Sequence, residues 1–136
     1  MEIVGNGVDI IKNSRIKNLI KNHKFLSRIF SENEIKDSKK VKNKTNFFAK
    51  RFAAKEAFVK SIGTGFRKGI NFKDISVKKN KLGKPTISYN NKVKEILNKK
   101  FKSKKFSVYI SLSDEKEYSI AYVIINKLWK KYFTKI

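Results

Sequence analysis

Cysteine is absent from this 136-residue chain, which removes disulfides, thiolate metal sites, cysteine nucleophiles and thiol redox chemistry together. Acid is scarce, with 11 Asp and Glu against 34 Lys and Arg and a formal net charge of +23. Histidine occurs once, as His23, in a polar break without a serine-and-acid pattern around it; it reads as a solvent-exposed side chain rather than a catalytic base. No apolar run approaches the roughly 20 residues that span a bilayer. The start, MEIVGNGVDII, carries Glu2 and too short an apolar stretch for a secretory leader, so a soluble cytoplasmic protein is expected.

What remains supports a packed fold. Hydrophobic residues make up 40% of the chain, with 11 Phe and 5 Tyr, which sets it apart from charged disordered sequences. The length suits one domain, assigned to residues 1–126, followed by a basic amphipathic tail, 127–136, that holds the only tryptophan, Trp129. The charge calls for an anionic partner: nucleic acid, anionic membrane, phosphorylated metabolite or acidic protein. Only Arg15, Arg28, Arg51 and Arg67 are arginines, the residue type that reads guanine edges bidentately. The lysines are spread along the whole chain, as expected if many of them only solvate its surface.

EIVGNGVDII is a strand candidate interrupted by Gly5 and Gly7, with Asp9 at its exit. Ile16, Leu19 and Ile20, and then Phe25, Leu26, Ile29 and Phe30, recur at helical spacing. SENE at 31–34 is a capping-box pattern that should start another helix, and the lysine-rich 36–46 stretch reads as a mobile connection. From about Asn46 to Ile62 the chain has good helix formers and a stop at Gly63. Phe48, Phe52 and Val59 can face a core there, and Ala49, Ala53, Ala54 and Ala57 permit close packing. FKDISVKK, the turn NKLGKP and TISY form a hairpin, NNKVKEILNKKF a helix, and KFSVYISLSDEKEYSIAYVIIN a long hairpin turning near Asp114–Glu117.

Two readings compete for Glu56, a lone acid among Lys50, Arg51, Lys55 and Lys60. Glu56 and Lys60 stand four apart on a helix in the favoured orientation for a surface ion pair, worth only about 0.3–0.5 kcal/mol. Alternatively, Glu56 joins Asp9 to hold a hard cation. Mg2+ takes one or two protein carboxylates and completes its octahedron with water and substrate phosphate. Lys55, Lys60 and the backbone of the Gly63-Thr64-Gly65 turn could then meet a pyrophosphate. GTGFRKG lacks the lysine and hydroxyl order of a nucleotide-triphosphate loop and follows a helix instead of a strand.

GNGVDII at 5–11, RIFSENE at 28–34, FFAKRFAAKEAFVKSIGTGFRKGINFKDISV at 47–77, LGKP at 82–85 and YISLSDEKEYSIAYVII at 109–125 resemble the holo-acyl-carrier-protein synthases, small bacterial phosphopantetheinyl transferases. The resemblance runs in family order from Ile3 to Ile125. It implies an α+β fold with a long central helix packed on an antiparallel sheet, and a homotrimer with active sites between subunits. It implies transfer of 4'-phosphopantetheine from coenzyme A to a serine of apo acyl carrier protein, serving fatty acid and lipid synthesis. By resemblance Asp9 and Glu56 bind Mg2+, Glu56 and Lys60 are catalytic, and Arg51 and Lys55 meet coenzyme A phosphates. Gly63, Thr64 and Gly65 would line the coenzyme site, with Gly83, Lys84 and Pro85 approaching the adenine from a neighbouring subunit. Arg15, Lys24 and Arg28, with Phe25 as apolar contact, would dock the acidic carrier. Tyr109 stands where many members carry histidine, and the tail with Trp129 extends past the usual family end. The alternative from another class is a basic nucleic-acid-binding module on the same fold, which would lose affinity steeply with salt and be indifferent to Asp9 and Glu56.

Overall fold

Apolar β-branched residues flank two glycines in the first segment of the chain, and the computed structural model, described over residues 1–67 and 69–128, folds it as strand β1, Glu2–Lys12. Gly5, Gly7, Asp9 and Ile11 face inward, and Asn6, Val8 and Ile10 face outward. Three short helices follow: α1 (Asn13–Leu19), α2 (His23–Ile29) and α3 (Glu32–Ser38). The expected capping box is present at Ser31, whose hydroxyl accepts from Glu34 N while the Glu34 side chain accepts from Ser31 N. The long helix α4, Lys44–Ile62, begins at Asn43, whose side chain accepts from Asn46 N, and stops at Gly63 with φ 88°. A left-handed stop of this kind suits glycine because it has no Cβ to clash.

Strand β2 (Ile75–Lys79) pairs with β3 (Pro85–Tyr89), and helix α5 (Asn91–Phe101) leads to the long hairpin of β4 (Phe106–Asp114) and β5 (Tyr118–Lys127). β5 lies between β1 and β4, antiparallel to both, so the two ends of the described chain share one sheet. The inner face of that sheet, with Ile11, Ile110, Ala121, Val123 and Ile125, is buried together with α4. Ala49, Ala53, Ala54 and Ala57 are all fully enclosed, as their small size suggests. At Gly5 and Gly7 the strand and helix backbones come closer than any other side chain would allow. A Cβ on Gly5 would lie 2.1 Å from Ser61 O, and one on Gly7 would lie 2.1 Å from Ala57 O.

Three sequence expectations change. The 36–46 stretch is mostly ordered helix: Lys36–Ser38 belong to α3 and α4 already starts at Lys44, leaving a short turn between. Phe72–Asp74 form a 3-10 turn before β2 instead of its first residues, because Asp74 Oδ2 accepts from Asn71 N and closes the segment locally. Asp9 lies within β1, opposite Ala121, and the strand continues to Lys12. β5 reaches Lys127, the first residue assigned to the tail; Trp129 and the rest of 129–136 lie outside the described residues, as does Lys68.

Gly7→Ala should destabilise the protein by about 3 kcal/mol or more, since backbone atoms must move to admit the methyl group. Urea denaturation checks this, and a midpoint equal to that of the parent protein would contradict the close approach.

Candidate active site

Helix α4 and strand β1 position the acids. Lys60 Nζ donates to Asp9 Oδ1 at 3.0 Å and to Val8 O at 3.1 Å, joining the last turn of α4 to the strand. The ammonium that helical spacing offers to Glu56 is therefore engaged by Asp9. Glu56 is half-buried, and its carboxyl is pushed above the ordinary glutamate range, first by burial and then by the negative charge of Asp9. Lys60 and Arg15 oppose that rise. Asp9 and Glu56, remote in sequence, thus share one electrostatic environment with Lys60 and Arg15.

Two carboxylates that repel one another and present only oxygen donors suit a hard cation, whose charge would relieve the repulsion. No group of three or more His, Asp or Glu side chains is arranged for a metal among the described residues. A two-carboxylate set leaves most coordination positions for water or a phosphorylated ligand, as Mg2+ prefers. Gly63, Thr64 and Gly65 follow at the C-terminal end of α4. Gly63 and Gly65 have positive φ, Thr64 Oγ1 donates to Gly65 O at 3.0 Å, and Lys100 Nζ donates to Ile62 O.

A second cluster forms near the start of α4. Arg51, Gly83, Lys84 and Pro85 line a pocket of about 260 Å3 together with Lys50, Lys79 and Ile110–Leu112. The Asn80 carboxamide accepts from Leu82 N and Lys84 N, both at 2.9 Å, which holds the turn that delivers Gly83, Lys84 and Pro85. Arg51 is enclosed, with its guanidinium carbon 3.5 Å from the Phe47 ring centroid, and Nε has no hydrogen-bond partner among the described residues. Burial lowers its pKa, an effect opposed by Glu34 and Asp37. The pocket carries four cationic side chains, which suits a phosphorylated anion. Sequence reasoning missed Lys50 and Lys79 as lining residues, although the hairpin register, Lys79 opposite Pro85, carried the signal for Lys79. Tyr109 is exposed on the outer sheet face and does not line this pocket.

Lys55 requires a correction. Its side chain is fully buried and its ammonium is spent on Glu34 Oε1, at 2.6 Å, and Ile29 O, at 2.7 Å, leaving it unable to reach a coenzyme phosphate. Burial lowers its pKa and Glu34 pulls it back up.

The residues expected to dock a carrier lie on α1 and α2. Arg15, Lys24 and Arg28 are exposed, whereas Phe25 is half-buried, its ring centroid 6.2 Å from that of Phe30 and 6.5 Å from that of Phe52. Arg28 and Ile29 also line a groove of about 550 Å3 with Phe66, Ile70 and Asn71–Asp74.

Residues 5–123 match the 4'-phosphopantetheinyl transferase superfamily. The chain is 54% identical over 127 residues to a holo-[acyl-carrier-protein] synthase of Pelagibacter ubique, covering 93% of this chain and 99% of that relative. It resembles the crystal structure of a Bacillus anthracis holo-(acyl-carrier-protein) synthase in complex with CoA (3',5'-ADP), with a TM-score of 0.77, 37% identity and coverage of 94% and 100% of the two chains. The holo-[acyl-carrier-protein] synthase of Neisseria meningitidis gives a TM-score of 0.81 at 36% identity, covering 92% and 99%.

The raised pKa of Glu56 makes a stability prediction. Protonation of Glu56 favours the folded state, so its contribution is fully present below the ordinary glutamate pKa and is lost as pH rises through the raised value. Glu56→Gln should therefore match the parent in stability below about pH 4 and exceed it slightly at neutral pH in metal-free buffer. Urea midpoints across pH test this; an equal or lower midpoint at neutral pH would contradict it.

Proposed function

The chain belongs to the 4'-phosphopantetheinyl transferase superfamily, and we propose from that premise how its residues divide the work of a holo-[acyl-carrier-protein] synthase. The reaction moves 4'-phosphopantetheine from coenzyme A to a serine of apo acyl carrier protein and releases adenosine 3',5'-bisphosphate. The observation that carries the residue assignment is the convergence of Asp9, Glu56 and Lys60: Lys60 bonds Asp9 across β1 and α4, and Glu56 lies within the electrostatic reach of both.

The serine oxygen attacks the β-phosphorus, its bond to phosphorus forms, and the bond from phosphorus to the bridging oxygen breaks. Negative charge gathers on that bridging oxygen as the bisphosphate leaves. Asp9 and Glu56 would hold Mg2+, which when bound would supply positive charge to the reacting phosphate. Lys60, held on Asp9 beside this position, adds a second cation for the transferring phosphate. Glu56 accepts the serine proton, directly or through water. Arg51, in the wall of the cationic pocket, meets a coenzyme phosphate, the Gly63-Thr64-Gly65 turn lines the coenzyme path, and the turn of Gly83, Lys84 and Pro85 approaches the adenine from a neighbouring subunit.

Arg15, Lys24 and Arg28, with Phe25, form the docking face for the acidic carrier, and the exposed charges there act mainly on association rate. The outer sheet face supports an assembly of copies, the homotrimer. Val8, Ile10, Tyr109, Ile120 and Tyr122 remain exposed on adjacent strands, an apolar area of the kind that monomers usually cover. No described helix is long and apolar enough to cross a membrane, and the two co-substrates favour a cytoplasmic setting. The nucleic-acid reading gains no support from the relatives, which are named as carrier-protein synthases.

Incubation with coenzyme A, Mg2+ and a verified apo carrier should add phosphopantetheine to the carrier, as weighed by mass spectrometry. Chelation should stop the transfer and Mg2+ should restore it. No adduct would overturn the function. Glu56→Gln should lower turnover by about 100-fold or more while retaining the fold, and near-normal turnover would remove Glu56 from the catalytic machinery. Arg28→Glu should raise the carrier KM about tenfold with little change in coenzyme binding, more so at low salt; an unchanged carrier KM would remove its docking role.

A further inference from the structure

Lys55 and Glu34 form an ion pair in which both side chains are fully enclosed. Desolvation of two charges cancels much of their attraction, so such a pair is a poor source of stability and a better source of directional constraint. Its hydrogen bonds run to four segments. Lys55 on α4 donates to Ile29 O at the end of α2 and to Glu34 Oε1 on α3. Glu34 Oε1 also accepts from Ser31 N at 2.9 Å, and Oε2 accepts from Val77 N of β2 at 3.0 Å. Ser31 Oγ and Ser76 Oγ meet at 2.9 Å at the same junction.

The pair sits between the two surfaces that a carrier-modifying enzyme must align. Lys55 precedes Glu56 on α4, and successive helical side chains point about 100° apart. One therefore turns towards α2 and α3 while the other shares the space of Asp9. α2 has seven residues, too few to hold its shape without outside contacts. Lys55 takes the carbonyl of its last residue, next to Arg28 and one turn from Phe25.

We propose that Lys55 and Glu34 are positioning residues which lock the end of α2 against α4, so that Phe25 and Arg28 form a docking surface that is already in place before the carrier binds. This rests on the carrier reading above. The pair touches neither coenzyme nor serine; it acts through the placement of α2.

Lys55→Met/Glu34→Gln replaces both charges together and leaves neither buried unpaired. The test compares kcat, the carrier KM and coenzyme A affinity by calorimetry for the parent and this variant. The carrier KM should rise about tenfold, with kcat at saturating carrier within about twofold and coenzyme affinity unchanged. A role in stability alone would lower the melting temperature and leave the carrier KM untouched. That result, or equal losses in coenzyme affinity and kcat, would overturn the proposal. If the double variant does not fold, Ser76→Ala removes only the Ser31–Ser76 contact and should raise the carrier KM in the same direction by about twofold; no rise overturns the proposal. Failure of the parent to modify any verified apo carrier would instead reject the carrier reading itself, and the pair's role with it.

Discussion

The contact between β1 and α4 at Gly5 and Gly7 governs the rest of the molecule. With a Cβ at either position only 2.1 Å from a helix carbonyl, the two backbones can meet only where side chains are missing. That meeting sets the height of Asp9, two residues past Gly7, against the turn of α4 that carries Glu56 and Lys60. The enclosed alanines of α4 serve the same approach from the helix side. A larger residue in either glycine position would separate the acids before it exposed the core. Stability and the electrostatics of the site therefore depend on one steric condition.

The second organising feature is the unequal use of charge. Most of the lysines are exposed, and in water each contributes little to the fold. A few are held in place by the scarce acids: Lys60 by Asp9, Lys50 by Asp114 and Lys55 by Glu34. These pairs differ in environment more than in chemistry. Lys60 is half-exposed and stays accessible to a ligand, whereas Lys55 is sealed and acts only on its neighbours. Lysines on one helix, close together in sequence, have separate tasks because the surfaces packed against the helix differ around its circumference.

Much of the architecture was legible in local patterns. The capping box at Ser31, the stop at Gly63, the NKLGKP turn and the turn of the last hairpin all appear where their residue chemistry suggested. The misreadings share one cause. Residues 36–46 and 72–74 look like a connection and a strand when composition and alternation are used alone, yet short-range hydrogen bonds and the early start of α4 decide their conformation. In the site, helical spacing made a Glu56–Lys60 pair the simplest local reading. The nearness of Asp9 had no local signal, and its strand supplied the partner that Lys60 takes.

By itself the sequence determined the class of fold, the order of its elements, the family and the residue types available for phosphate and metal chemistry, because propensity, capping and motif patterns act over a few residues. Only the tertiary structure decided which charges meet. It joined Lys60 to Asp9, gathered Arg51 with Lys84 and Pro85, and buried Lys55 on Glu34. The reason is physical: desolvation and Coulomb attraction depend on distance and burial in space, and neither quantity is written in the spacing of residues along the chain.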